Sequence, residues 1–300
     1  MMQRAAFVAS LTILLAPATV HAAELPRILA PSSAWTLDFA TERCSLIRDF
    51  GQGEEKIRLQ IDSYGTRYGY RVLVSGDLVR AAPIAPVTEI RVGYSPDSGE
   101  RERFYAMAGT SGDERAVSFT QGFLPDSRTV DAALLASVPT PDQQRTLDRL
   151  AGEFENRVTH MTIQFERRRP LQLQTGNMAA PFAAMHRCVD DLIASWGFDP
   201  AAHWAQSRRP VPRPETVRSV QRSYPAGMVM SGLGAFVPAR VSVDETGQAT
   251  KCVVQVEVVN DQFKRAVCDG LMGRYEPGLD DTGKPAASLF QVVTIYQISR

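Results

Sequence analysis

The sequence predicts an α+β protein: a β-rich N-terminal domain with two helices, followed by a small β-β-α-β C-terminal domain. Three observations lead there. Short runs of alternating apolar and polar residues fill the first half, separated by clusters of Gly, Pro, Asp and Ser, as in an antiparallel sheet or barrel. Two later segments carry a helix-start signature or helical periodicity. The stretch RRPVPRP at 208–214 holds three prolines in five residues and cannot continue a helix or a central strand. It divides the chain into a domain at 24–205, an extended linker at 206–215 and a second domain at 216–300.

In the first domain the alternating runs are 35–39, 57–61, 70–74, 88–92, 104–108 and 116–119. Thr140-Pro141 then reads as a helix start, with Pro at the first helical position of a helix reaching about 157. A strand follows at 159–165. Phe182, Met185, Val189, Leu192 and Trp196 recur at three- and four-residue steps and predict a helix over 182–196, begun near Pro181 and ended by Gly197. Cys188 lies on or beside that apolar stripe, between Met185 and Leu192, and faces the core.

In the second domain a helical turn precedes two strands, 237–243 and 249–258. They are joined by the turn Asp244-Glu245-Thr246-Gly247, whose glycine supplies a positive φ. Asn260 or Asp261 caps a helix over 262–275, with Phe263, Ala266, Val267, Gly270 and Leu271 on one face. A loop with Pro277, Gly278, Gly283 and Pro285 leads to a last strand, 290–298, with Val292, Thr294, Tyr296 and Ile298 on one side.

The chain has 300 residues, enough for two domains with real cores. Hydrophobic residues are 44% and charged residues 22%, which excludes a largely disordered chain. Basic and acidic residues number 33 each, so there is no charge-based reason to expect nucleic-acid binding. Residues 1–22 have the form of an export signal: a basic start with Arg4, an apolar run broken by Pro17, and the small-residue site Val20-His21-Ala22. The run is shorter than a spanning helix needs. Cleavage near Ala22 is the expectation, and membrane contact is expected only if this segment stays attached. Cys44, Cys188, Cys252 and Cys268 form an even set in an exported chain, as in disulfide-bonded proteins. Of three possible pairings, Cys44–Cys188 and Cys252–Cys268 keep each bridge inside its own domain. The second joins a strand to the helix that packs back on it.

A catalytic set does not emerge. His186-Arg187-Cys188 lacks the further ligands of a closed zinc site. Asp190 and Asp191, adjacent on a helix, point about 100° apart and do not converge. Gly51-Gln52-Gly53 and the segment from Gly109 to Gly112 lack the endings of phosphate-binding loops and read as turns. Arg167-Arg168-Arg169 reads as an exposed basic loop. The expectation is no catalytic residue, no cofactor and no metal. An envelope hydrolase is the alternative from another class, and it would need His160 or His203 near carboxylates in a cleft between the domains.

Four features of the second domain occur in order: Tyr224-Pro225 at its entrance, the Val243-Asp244 to Gly247 hairpin, Tyr275-Glu276-Pro277 after the helix, and Gly283-Lys284-Pro285 before the last strand. With these, the region from about 215 to 300 resembles the C-terminal domain of TonB energy transducers. The resemblance implies a periplasmic module that recognises an extended segment of an outer-membrane receptor, or of another envelope protein, by adding a strand to its sheet edge. It implies partner contacts at Gln221, three residues before Tyr224-Pro225, and along Phe290, Val292, Thr294 and Tyr296. It also leaves open pairing with a second copy. A transducer needs an inner-membrane helix and a long spacer, whereas here a folded domain stands in the spacer's place. The expected function is therefore that of an exported binding protein. An inner-membrane-anchored energy transducer for outer-membrane transport is the alternative.

Overall fold

A computed structural model describes residues 25–67, 69–80, 87–95, 102–121, 141–166, 168–256 and 259–297. The export signal, Thr140, Arg167 and Ile298 lie outside these residues, as does the end of the strand expected at 249–258.

The alternating runs of the N-terminal domain become one sheet of ten strands. They are β1 Arg27–Leu29, β2 Thr36–Ala40, β3 Arg43–Phe50, β4 Ile57–Ser63, β5 Tyr70–Gly76, β6 Val87–Tyr94, β7 Glu102–Ser111, β8 Glu114–Gln121, β9 Met161–Phe165 and β10 Leu171–Leu173. Their order is β1-β10-β9-β6-β7-β8-β5-β4-β3-β2, antiparallel throughout except between β1 and β10. The sheet curls until its ends meet. Just after β1, Ser32 N donates to Asp49 O (2.9 Å), and Gly51 N donates to Ala30 O (2.9 Å), so Pro31 bridges to Phe50 of β3.

Its inner face carries Leu46, Phe50, Ile57, Leu59, Ile61, Val72, Val74, Ile90 and Ile163, all buried. Helices α1 Asp77–Arg80, α2 Pro141–Arg157, α3 Ala179–Ser195 and α4 Pro200–Ala205 accompany it, two more than the two expected. The short α4 forms because the Asp199 carboxylate accepts from Ala201 N and Ala202 N while Pro200 takes the first helical position. Helix α3 starts three residues before the expected boundary and buries Phe182, Met185, Cys188, Val189, Leu192 and Ile193 against the sheet. Each such side chain contributes about 1.5–3 kcal/mol on leaving water. The Cys44–Cys188 disulfide ties α3 to β3, with Cα atoms 6.1 Å apart.

Strand β3 lacks a clean apolar alternation because Arg48 occupies an inward position between Leu46 and Phe50. It is accommodated there by donating to Ser33 O (2.9 Å) and Thr175 O (2.8 Å) and by lying over the Trp35 ring.

The C-terminal module comprises β11 Val211–Pro212, α5 Pro214–Arg222, α6 Ala226–Met230, β12 Ala235–Val243, β13 Ala249–Val254, α7 Asp261–Leu271, β14 Tyr275–Glu276, β15 Gly278–Leu279, β16 Pro285–Ala286 and β17 Ser288–Tyr296. Its main sheet runs β13-β12-β17, with α7 packed on one face through Phe263, Val267 and Leu271. Helix α7 ends four residues before the expected 275. Gly273 closes onto Thr216, and Tyr275 instead pairs with Pro212 in the β11–β14 ladder. The proline-rich stretch is extended up to Arg213 and held to this module, whereas residues 214–215 of the expected linker belong to α5. Arg208 O accepts from Leu279 N (2.9 Å), and Pro214 opens α5. The Cys252–Cys268 disulfide joins β13 to α7, with Cα atoms 5.6 Å apart.

The two domains are docked. The sheet face opposite α7 meets the N-terminal domain through Arg240, whose guanidinium makes a bidentate pair with Glu42 (2.7 and 2.8 Å) and lies 4.5 Å from the Trp196 ring centroid. The carbonyl of Tyr64 accepts from both Gln255 Nε2 (3.1 Å) and Gln291 Nε2 (3.0 Å). Gly65, at φ +90°, sits where a side chain would run into Gln291 and Trp196.

Candidate functional site

The open element of the C-terminal module is β17. It pairs with β12 along its whole length, from Ala235↔Tyr296 to Val243↔Ser288, without a register shift. Among the described residues no strand pairs with its other side. Which backbone groups face outward follows from the neighbouring ladder. Gln255 N donates to Pro238 O (2.9 Å), so Pro238 and the alternate residues Arg240 and Ser242 direct their backbone groups toward β13. Residues 235, 237, 239, 241 and 243 then bond β17, and on β17 the N–H and C=O of Leu289, Gln291, Val293 and Ile295 point to the open edge. The same geometry explains a proline inside a central strand, since the missing Pro238 N–H lies where β13 has ended.

The side chains expected to contact a partner are mostly used inside the module. Phe290 packs on Tyr275 with ring centroids 5.3 Å apart. Val292 packs against the core. Tyr296 lies 5.0 Å from both Tyr224 and Phe263, and its hydroxyl bonds Ser223 (2.7 Å). The Tyr224 hydroxyl donates to Leu233 O (2.9 Å), and Pro225 precedes α6 as its cap. The Thr294 hydroxyl is shielded and has no hydrogen-bond partner. Gln221 is exposed on α5. The edge that remains presents backbone together with Ile295, which is 51% exposed.

Two loops flank this sheet with one shared design. Asp244 Oδ1 accepts from Thr246 N (2.9 Å), Thr246 Oγ1 (2.8 Å) and Gln248 N (2.8 Å). Asp280 Oδ1 accepts in the same way from Thr282 N (2.9 Å), Thr282 Oγ1 (2.8 Å) and Lys284 N (2.9 Å). Gly247 and Gly283 close the turns at φ +81° and +83°. These hydrogen bonds, led by the backbone donor at Gln248 or Lys284, hold both carboxyls below the usual carboxylate range. The signal was the shared pattern Asp-acid-Thr-Gly at 244 and 280.

A cleft of about 1140 Å³ opens between the domains. Neither His160 nor His203 is among its lining residues. His203 is buried against Trp204 and Arg209, and burial followed by the Arg209 charge pushes it down to about 2. Burial also lowers His160. His186 contacts Tyr70 OH (3.3 Å) and Glu155 Oε1 (3.6 Å), and Glu155, buried, is pushed up to about 7 by desolvation. Asp190 accepts from Arg67 (3.1 Å) and Trp204 Nε1 (2.7 Å), while Asp191 is exposed, so the two carboxylates diverge. Of the glycine loops, Gly51 and Gly53 form a turn, whereas Gly109 to Ser111 continue β7 and only Gly112 turns. Arg169 donates to Leu25 O (2.8 Å), just before β1. Among the described residues, no three His, Cys, Asp or Glu side chains come together to hold a metal ion, and no helix is long and apolar enough to cross a membrane.

Compared with protein-family models, with curated proteins and with solved structures, the chain finds no match, so its likeness to the TonB C-terminal domain rests on the four motif features alone.

Proposed function

We propose that this is an exported periplasmic binding protein, whose TonB-like C-terminal module takes up an extended segment of an outer-membrane or other envelope protein along β17. The observation that carries the reading is the character of that edge. It runs for nine residues, Ser288-Leu-Phe-Gln-Val-Val-Thr-Ile-Tyr296, without a charge, a proline or a bulge. Proteins normally blunt an open edge with one of these devices, because unpaired N–H and C=O groups template pairing with another chain. An edge left without these devices over this length is suited to β-augmentation, with affinity supplied by main-chain hydrogen bonds. The two disulfides fit an oxidising compartment such as the periplasm.

The outward direction of the Val293 N–H supplies the test. Val293→Pro removes that donor and leaves the β12 ladder intact, so the protein should fold as the wild type does. A photo-cross-linker at Ile295 in cells should capture an envelope protein through an extended segment. A synthetic copy of that segment should slow amide exchange at 289, 291, 293 and 295 in the wild type and not in Val293→Pro. Cross-links confined to a second copy of the chain would replace the reading with edge-to-edge dimerisation. No cross-link, with exchange unchanged, would remove it.

A further inference from the structure

The cleft between the domains contains a group of shielded charges that neither the fold nor the β17 edge uses. Its floor is the outer face of the N-terminal sheet. Ser45 on β3, Asp62 on β4 and Arg71 on β5 lie side by side in register, so they form one cross-strand row on that face. Arg43 comes from the start of β3. Asp62 is fully buried, and its Oδ1 accepts from Ser45 Oγ (2.7 Å) and Gln60 Nε2 (2.7 Å). Its Oδ2 has no hydrogen-bond partner. Two guanidiniums flank it, Arg43 at 3.7 Å and Arg71 at 3.8 Å, within ion-pair range but too far to hydrogen-bond. The Nε atoms of both arginines are also shielded and unpartnered. Arg71 spends one long bond on Tyr64 OH (3.4 Å) and lies over the Phe236 ring (5.3 Å).

Buried charge is ordinarily paired and fully hydrogen-bonded, because desolvation otherwise outweighs the Coulomb gain. Here the arginines are anchored by one carboxylate between them, and their side chains stay partly exposed at the cleft floor. The other acidic neighbours do not complete them. Asp38, half exposed at the rim, reaches Arg43 only at 3.6 Å, and Glu42 is fully engaged by Arg240. Lys264 on the opposite wall pairs with exposed Asp261 (3.3 Å). The Arg43 and Arg71 side chains are 30% and 22% exposed, so two positive charges at the cleft face one fully buried carboxylate, and one further negative charge balances them. The lining is mixed: Leu73 and Met107 from the sheet, and Leu233, Phe236 and Phe263 from the C-terminal module, supply apolar surface among polar side chains such as Gln60, Ser118 and Gln255.

We infer that this cleft binds an apolar-tailed carboxylate, with the carboxylate held by Arg43 and Arg71 and the tail lying between the two domains. Guanidinium forks match a carboxylate's two oxygens, which a single ammonium does not. The volume of about 1140 Å³ lies at or above the upper end of the ~300–1,000 Å³ usual for small ligands. It admits either a free organic acid or the carboxyl end of an apolar peptide. The site is separate from the β17 edge and does not depend on it.

The test uses the full mature chain titrated with decanoate, with decanol, and with an apolar tetrapeptide in free and C-terminally amidated forms. Saturable binding of decanoate without binding of decanol assigns the site to a free acid. Binding of the free tetrapeptide but not the amide assigns it to a chain end. Arg43→Gln and Arg71→Gln should each weaken the bound form about tenfold or more, the effect expected for a charge-assisted hydrogen bond. Arg187→Gln on α3, outside the lining, should change nothing. Amide exchange on the wild type gives a readout independent of the variants: the ligand should slow exchange in β4, in β5 and at 233–236. Decanol binding as well as decanoate, a folded double variant binding as the wild type, protection elsewhere, or no saturable binding by either acid would each overturn the inference.

Discussion

Replacing Glu42 by Ala leaves the Arg240 guanidinium at the domain interface without its counter-ion. The Arg240 side chain is 6% exposed and that of Glu42 19%, and both hydrogen bonds between them are short and parallel. Removing one member of a buried pair costs about 3–5 kcal/mol, because the remaining charge stays desolvated. Glu42 is open enough for water to replace part of it, so the lower end, about 3 kcal/mol, is the expected loss. That loss falls on docking and not on either core, since Arg240 belongs to the C-terminal sheet and Glu42 to the β2–β3 turn. A penalty of this size shifts the docked-to-undocked ratio about a hundredfold. Trp196 reports it directly, because Arg240 covers its ring and its Nε1 donates to Thr41 O (3.3 Å). Urea unfolding followed by tryptophan emission should split into two transitions in Glu42→Ala. Solution scattering should show a larger radius of gyration before either domain melts. Arg240→Met fills the same space without charge, so the double variant should recover part of the loss. A Glu42→Ala protein within about 0.5 kcal/mol of wild type, or strict additivity in the cycle, would refute the claim that this pair holds the domains together.

Glu155 sets a pH dependence of stability. Its folded value of about 7 lies above the ordinary carboxyl value near 4.5, so the stability it allows is present below about 4.5 and is lost as pH rises to 7, about 3 kcal/mol in all. The groups facing it are His186 and Tyr70, and burial lowers His186, which disfavours a compensating imidazolium. Glu155→Gln should be more stable than wild type at pH 8 and equal to it at pH 4 in denaturant titrations; parallel curves would disprove the assignment. Removing the Cys252–Cys268 bridge as a Cys252→Ala/Cys268→Ala double variant should cost about 3 kcal/mol for a 16-residue separation, read as a lower midpoint for the C-terminal transition. A midpoint change under about 0.5 kcal/mol would place its role elsewhere.

What the sequence discloses is local, and the differences are equally local. The helix at α3 was legible because Phe182, Met185, Val189, Leu192 and Trp196 repeat without interruption, and the cysteine pairings followed from which element each cysteine occupies. Strand β3 was hidden by one inward arginine, Arg48, whose cost is offset by carbonyls of Ser33 and Thr175, residues remote in the chain. The C-terminal end of α7 was overextended because Tyr275 reads as the next apolar position of the helix, while its actual partner is Pro212, 63 residues earlier in the chain. The docked arrangement had no signature at all. Glu42 and Arg240 are 198 positions apart, and each alone is an ordinary charged residue at a turn or on a strand. The cleft arginines share this property. Arg43 and Arg71 look like solvent-facing members of alternating strands, and only the closure of the module over that face turns them into shielded charges.

That closure makes the two binding readings separable by a single residue. The cleft needs walls from both domains, whereas the β17 edge belongs to the C-terminal module alone. Gly65 sits at φ +90°, and a Cβ there would stand 2.7 Å from the Trp196 ring and overlap the Gln291 amide. Strain at a positive φ costs about 1–3 kcal/mol for a residue with a side chain. The ring cannot swing away freely, because Arg240 stacks on it. Gly65→Ala should therefore force the module off the N-terminal domain and break the bond from Gln291 to the Tyr64 carbonyl, leaving the C-terminal core untouched. Carboxylate binding should fall at least tenfold, since Leu233, Phe236 and Phe263 would no longer oppose Arg43 and Arg71. Pairing along β17 should be preserved or strengthened, as the groups it uses stay in place and a neighbouring surface is withdrawn. If Gly65→Ala lost both activities together while the C-terminal transition stayed normal, the edge and the cleft would be parts of one site, and the extended segment on β17 would have to end with its carboxylate between the two arginines.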